Sequence, residues 1–168
     1  VIVTQPPQIV INSITSTNVT CYGAYDGTIT IDASAGGEMV EYSIGETGFS
    51  PQNVFTGLSP ASYQIDIRFA SVYSCILTYQ NSIVINEPIQ LSGTYEQTNI
   101  TCYGADNGTI TFTPFGGTTP YQYSVDGANT FSIDSLFSDL GTGTYILKIK
   151  DANSCMIHPG DITFTEPA

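Results

Sequence analysis

A chain of 168 residues with 15 acidic side chains, only three basic ones (Arg68, Lys148 and Lys150) and a net charge of −12 cannot neutralise a phosphate backbone, because such binding draws on clustered Lys and Arg. Nucleic acid and anionic lipid are poor partners on that ground, and no apolar run reaches the roughly 18 residues that would predict direct membrane insertion. The length fits one large domain or two small ones, and the acidic surface first of all keeps the protein soluble, while also suiting an extracellular, salty setting.

The chain opens with VIVTQPPQIV, which has neither a basic n-region nor a long apolar core and so does not read as a signal peptide. Its VTQP at 3–6 resembles INEP at 85–88 and FTEP at 164–167. Residues 1–7 therefore read as the tail of a preceding repeat or a linker, and the chain as a piece of a longer tandem array.

Residues 17–30, TNVTCYGAYDGTIT, come next, with Asp26-Gly27 as a tight-turn dipeptide and alternation over 28–32 that predicts a strand. Gly36-Gly37 predicts a turn, VEYSIG at 40–45 a strand, and Tyr63 to Ile67 a further strand within FTGLSPASYQIDI, 55–67. Pro88 closes this part, since proline ends a strand and stiffens a short link.

The same order then returns. TNITCYGADNGTIT at 98–111 shares eleven of its fourteen positions with 17–30. Gly116-Gly117, YQYSVD at 121–126 and FSDLGTGTYILKI at 137–149 follow in register, with an additional turn at Asp126-Gly127. Only SIDSLFSDL, 132–140, offers a place for a helical turn. The boundaries are thus 1–7, repeat 1 at 8–88 and repeat 2 at 89–168. Short strands and frequent turns predict an all-β chain of two tandem Ig-like β-sandwich domains. A short proline-bearing link predicts domains set end to end, in a monomer. Tyr63 and Tyr145 each follow a Gly/Ser-rich turn at the start of a strand, as a tyrosine corner does, and a plain cross-strand aromatic fits that position equally well.

Taken in order, C-Y-G-A-x-[DN]-G-T-I-T, G-G, Y-x-Y-S-[IV], L-x-x-G-x-Y, D-A-N-S-C and a closing E-P resemble the SprB-type repeat of gliding-motility adhesins and other surface proteins of Bacteroidetes. The second copy fits better, because FASVYSC at 69–75 stands where DANSC stands at 151–155, and Gly45 where Asp126 stands. The resemblance implies display outside the cell, attached at the outer membrane, with export by the type IX route. It names no ligand.

Four cysteines allow three pairings. Cys21 and Cys102 are 81 residues apart, and Cys75 and Cys155 are 80 apart. The repeat therefore selects Cys21–Cys75 and Cys102–Cys155, one disulfide per domain, with buried free thiols as the competing reading. Each bridge would close a loop of about 55 residues and contribute roughly 4 kcal/mol. Zinc is disfavoured, since there is no C-x-x-C and His158 is the only histidine.

No catalytic residue is assigned. His158 has no counterpart in the first copy and reads as a surface loop residue, and nothing brackets a pair of carboxylates for glycoside chemistry. No cofactor is expected, with calcium the one metal worth weighing, on Asp106, Asp126 and Asp151. In the first copy only Asp26 offers a similar carboxylate, so turn-capping by Asn and Asp is the simpler reading. Tyr22 and Tyr103, and Tyr42 and Tyr123, recur at matching positions and could form a carbohydrate-binding face, although core packing explains them better. Asn18, Asn99 and Asn107 fit N-glycosylation sequons and Asp134-Ser135-Leu136 a short O-glycosylation pattern.

The reading that follows is a non-enzymatic repeat module in the stalk of a surface adhesin, whose partners are neighbouring repeats and, beyond them, a surface polysaccharide or another surface protein. Its rivals are a binding module proper and accessory repeats of a secreted enzyme.

Overall fold

The computed structural model describes residues 7–167; of the tail assigned to 1–7, only Pro7 lies among them. They form sixteen strands and no helix, hence no helix long and apolar enough to cross a membrane among the described residues. The chain divides into two compact units between Glu87 and Pro88.

In the first unit β1 (Val10–Thr17), β2 (Gly27–Ser34) and β4 (Val54–Leu58) form one antiparallel sheet in the order β1-β2-β4. A second sheet has the order β3-β6-β7, from Val40–Ile44, Ile65–Phe69 and Val72–Thr78. A two-stranded ribbon pairs β5 (Ala61–Tyr63) with β8 (Ile83–Ile85). The period-2 pattern of β2 is what closes the sandwich: Ile29 and Ile31 turn inward and are fully buried, while Thr28 and Thr30 stay half-exposed. They meet Tyr42 and Ile44 of β3, Ile65 and Ile67 of β6 and Ile85 of β8 in one core. Each fully buried isoleucine contributes on the order of 2–3 kcal/mol.

The second unit repeats this topology. β9 (Ser92–Thr98), β10 (Gly108–Phe115) and β12 (Leu136–Leu140) form one sheet, and β11 (Gln122–Ser124), β14 (Lys148–Lys150) and β15 (Met156–Ile157) the other. β13 (Gly143–Ile146) pairs with β16 (Asp161–Phe164). Ile110, Phe112, Tyr123, Leu147, Ile149, Ile162 and Phe164 build its core. Both units are Ig-like β-sandwiches, as the alternating pattern predicts.

Three local expectations are corrected. The apparent single strand at 63–67 changes sheets: β5 pairs with β8, and β6, beginning two residues later, pairs with β3. At the crossing residue the Gln64 carbonyl accepts from Gly45 N–H at 2.8 Å. Second, SIDSLFSDL holds no helical turn; its latter part is strand β12, in which Phe137 pairs with Ile110. Asp139 has φ of 58°, the counterpart of Gly57 at 72°, beside a register shift in the same place of each sheet. A bulge, not a helix, is what that segment encodes.

Third, the glycines of Asp26-Gly27 and Asn107-Gly108 are not the turn residues. The left-handed positions in these loops are Gly23 (φ 72°) and Gly104 (φ 71°). Gly27 and Gly108 are instead the first residues of β2 and β10. A Cβ on Gly27 would lie 2.8 Å from Ile85 Cγ2, and one on Gly108 2.9 Å from the Leu140 carbonyl oxygen. Close approach of neighbouring strands, not φ, demands glycine there.

Candidate functional site

Each unit has two distinct ends, set by its longest central strand. At the base of the first unit, beyond the end of β2, Pro7 packs beside Gly36, and Ala70 N–H donates to Met39 O at 2.9 Å. At its tip, before β2 begins, Val19 N–H donates to Asn86 O at 3.2 Å, Asn86 N–H to Asn18 Oδ1 at 2.9 Å, and Gly23 N–H to Glu87 Oε2 at 2.9 Å. The chain thus arrives at the base and leaves at the tip. The second unit is the same: Gly117 N–H donates to Ile89 O at 2.7 Å at the base, and Phe164 lies against Gly108 at the tip.

The tip loop is the repeated motif itself. Thr20 gives its N–H to Asp26 Oδ1 at 2.9 Å and its hydroxyl to Asp26 Oδ2 at 2.5 Å, and Ala24 N–H donates to Cys21 O. In the second copy Thr101 N–H donates to Asn107 Oδ1 at 3.1 Å, Asn107 Nδ2 donates to Thr101 Oγ1 at 2.7 Å, and Ala105 N–H donates to Cys102 O. The Thr20 bonds hold the Asp26 carboxyl below the ordinary carboxylate value. The loop closes on its own polar atoms, which leaves its tyrosines outside. Tyr22 is 53% exposed and Tyr103 84% exposed, so the expectation that they pack in the core is overturned for both. The other matching pair, Tyr42 and Tyr123, is buried, and burial raises both phenol pKa values.

The three calcium candidates occupy separate turns. Asp126 accepts from Ser124 Oγ and Thr130 Oγ1 at 2.6 Å each and from Thr130 N–H at 3.0 Å. The Ser124 bond first, then the Thr130 bonds, hold its carboxyl at about 2. Asp151 is buried at the base, where its carboxylate accepts three backbone N–H groups, from Thr118, Asn153 and Cys155, at 2.9 Å each. Asp106 lies beside Gly141, whose added Cβ would come within 2.5 Å of Asp106 Oδ1. Among the described residues no three His, Cys, Asp or Glu side chains gather around a common point. Asp151 as the buried keystone of a turn is a role the sequence reading missed; its signal was the spacing D-x-N-x-C, in which one carboxylate can accept from residues two and four ahead.

His158 Nε2 stands 2.6 Å from Asp161 Oδ1 in an exposed pair three residues apart. One cation–ring contact is matched between copies: the Arg68 guanidinium lies 4.1 Å from the Phe49 centroid and Lys150 Nζ 3.9 Å from that of Phe131. Arg68 also lies over Tyr73 at 4.5 Å and is bonded to Glu41 at 2.7 Å.

The cysteines depart from the expected pairing. Cys75 and Cys102 are free and exposed, while Cys21 and Cys155 are disulfide-bonded. Neither Cys21–Cys75 nor Cys102–Cys155 forms. Cys21 lies in the tip loop, whereas Cys75 sits on β7 one residue from the partner of Arg68, towards the base. The eight residues of β2 that span the unit extend over roughly 24 Å, against the ~4–7 Å between Cα atoms that a disulfide needs. Cys102 at the tip and Cys155 at the base of the second unit are separated in the same way by β10.

The SprB repeat family model matches residues 13–44 and 94–130, which cover β1 to β3 of the first unit and the equivalent part of the second. Each of the two units thus carries one match to the SprB repeat model. No curated protein matches it. Among solved structures, a C-terminal 282-residue fragment of intimin, in complex with the intimin-binding domain of the translocated intimin receptor, is similar at 14% identity and a TM-score of 0.40. That match covers 94% of this chain and 64% of the fragment.

Proposed function

We propose that these two units are SprB-type repeats that act as non-catalytic spacer modules in the stalk of a large cell-surface adhesin, serving gliding motility or surface attachment. One observation carries the reading: in each unit the chain arrives at the base, beside Gly36 or Gly117, and leaves at the tip, beside Gly23 or Gly108. A module threaded this way has its entry and its exit at opposite ends, as a spacer requires. Its first partners are then neighbouring repeats of the same chain. Display outside the cell, attachment at the outer membrane and export by the type IX route belong to this reading and rest on the family resemblance.

Force spectroscopy on the full chain, pulled from its two termini in reductant, tests the spacer role. Two separable unfolding events are expected, each releasing about 80 residues, in line with the division at Glu87–Pro88. A single event releasing the whole chain would mean one integrated domain and remove the basis for a string of spacers.

The exposed tip tyrosines favour a second reading, a module that binds a surface polysaccharide or another surface protein. Stacking of a sugar ring on Tyr103 would show as saturable glycan-array binding that Tyr103→Ala abolishes. Absence of saturable binding on both glycan and cell-surface panels leaves the spacer reading alone.

A further inference from the structure

We propose that the outer face of the sheet β11-β14-β15, in the second unit, binds a carboxylated polysaccharide through Lys148 and Lys150. This deepens the reading of a module that binds a surface polysaccharide and rests on it for the class of ligand. The site is separate from the tip tyrosines and does not need the spacer role.

Alternation places the two cations. Leu147 and Ile149 are fully buried in the core, so Lys148 and Lys150 point to the opposite side of β14, the middle strand of its sheet. Both are half-exposed, and they follow one another along the strand at roughly 7 Å. Lys150 is flanked by Gln122 on β11 and by Met156 on β15. Among the described residues the ion pairs are Arg68–Glu41 and His158–Asp161, and neither lysine takes part in one. Asp126, beyond the end of β11, is held by Ser124 and Thr130, and Asp161 by His158. Two like charges therefore stand side by side without a counter-charge, in a chain whose net charge is −12.

The first unit shows the same face without this feature. There Asp66 stands where Lys148 stands, Arg68 where Lys150 stands, and Glu41 where Gln122 stands. Arg68 is neutralised by Glu41, and Asp66 accepts from Thr78 Oγ1 at 2.6 Å. Over the three strands the first face carries a net charge of −1 and the second +2. One fold thus accommodates either charge pattern, and folding alone does not call for the cationic one.

The class of ligand follows from charge density and shape. A duplex phosphate backbone presents one charge per ~1.7 Å of its axis, far denser than two lysines can neutralise. A polymer of acidic sugars spaces its carboxylates by whole rings. Its hydroxyls can bond the Gln122 amide, which both donates and accepts. The face is one side of a sheet, which suits an extended chain laid along β14 better than a small molecule that needs a concave pocket.

Titration of the full chain with hexagalacturonate, followed by amide chemical shifts, tests the site. Saturable shifts are expected at Gln122, Lys148, Lys150 and Met156, weaker at high salt, and absent with maltohexaose, which has no carboxylate. Gln122→Glu combined with Lys148→Asp writes the first unit's face onto the second, a pattern this fold already carries, and should weaken binding about tenfold or more. Tyr103→Ala should leave binding unchanged. Absence of shifts on β14, undiminished binding by the swapped variant, or polyglutamate binding as tightly as hexagalacturonate would overturn the proposal, the last by assigning the face to an acidic protein. If Tyr103→Ala abolishes binding and the swapped variant retains it, the polysaccharide reading stands and this site is refuted, so the two failures are distinguishable.

Discussion

Thr20 N–H is bonded to Asp26 Oδ1 at 2.9 Å, and the second copy makes the same bond from Thr101 to Asn107 at 3.1 Å. Acid and amide are interchangeable acceptors for a backbone donor, but only the acid titrates. Asn107→Asp should leave stability within about 0.5 kcal/mol, because the acceptor is retained. Asn107→Ala should cost about 1 kcal/mol, because the Thr101 N–H loses its partner. Chemical denaturation of the two variants checks the difference.

The carboxylates carry a pH dependence whose sign is fixed. Asp126 is held at about 2, against an ordinary value of 3.8, by Ser124 and then Thr130. A depressed folded pKa means stability that is fully present above the unfolded value and lost as pH falls from about 4 towards 2. Asp26, lowered chiefly by Thr20, acts in the same direction. Carboxyl chemical shifts followed by NMR from pH 6 to 1.5 should place the Asp126 midpoint at about 2, and Thr130→Ala should move it upward.

Asp151 accepts three backbone N–H groups while buried. Asp151→Ala leaves those donors unpaired, which should cost roughly 2–4 kcal/mol. Native-state hydrogen exchange should show the loss in the second unit alone, since the equivalent hairpin of the first unit turns on Phe69 and Val72 with no carboxylate.

How much of this was legible follows from the range of the interactions. The isoleucines of β2 and β10 announced their inward faces by alternation alone. The repeat fixed the domain count because a copied sequence folds as a copied topology. What sequence alone could not see was which end of a unit each residue occupies. Cys21 and Cys75 look like natural partners when only their repeat is considered, but β2 holds their loops apart. Tyr22 and Tyr103 look like core residues because they recur, yet recurrence is equally what a repeated surface loop produces. The sheet change between Tyr63 and Ile65 was hidden because alternation persists through it.

The turn roles of Asp126 and Asp151 bear on metal dependence. Asp126 and Asp151 are already engaged by donors of their own loops, and a calcium ion would have to displace those bonds. Adding a chelator should leave the thermal midpoint within about 1 °C, whereas ligand linkage through an occupied site would lower it by several degrees. A saturable rise in midpoint with calcium would show a site assembled by rearrangement of these loops.

Tyr63 and Tyr145 decide between the two readings that their positions allowed. The Tyr63 hydroxyl donates to the Ser59 carbonyl at 2.9 Å, and the Tyr145 hydroxyl to the Gly141 carbonyl at 3.1 Å. Both acceptors lie four residues upstream, in the turn leading into the strand, which is the tyrosine corner and not a plain cross-strand contact. The rings are half-buried against their cores, and Tyr145 also meets Phe164 edge-on at 5.6 Å. Phenylalanine would keep the ring and remove only the hydroxyl. A cross-strand aromatic would therefore tolerate Tyr→Phe with no change. A corner loses one partly buried hydrogen bond and leaves a turn carbonyl without its donor, at a cost of about 1 kcal/mol. Tyr63→Phe and Tyr145→Phe should each show that loss in urea denaturation. The two sites lie in separate units with separate cores, so the double variant should lose their sum to within about 0.5 kcal/mol. No loss in either single variant would return both tyrosines to simple ring packing.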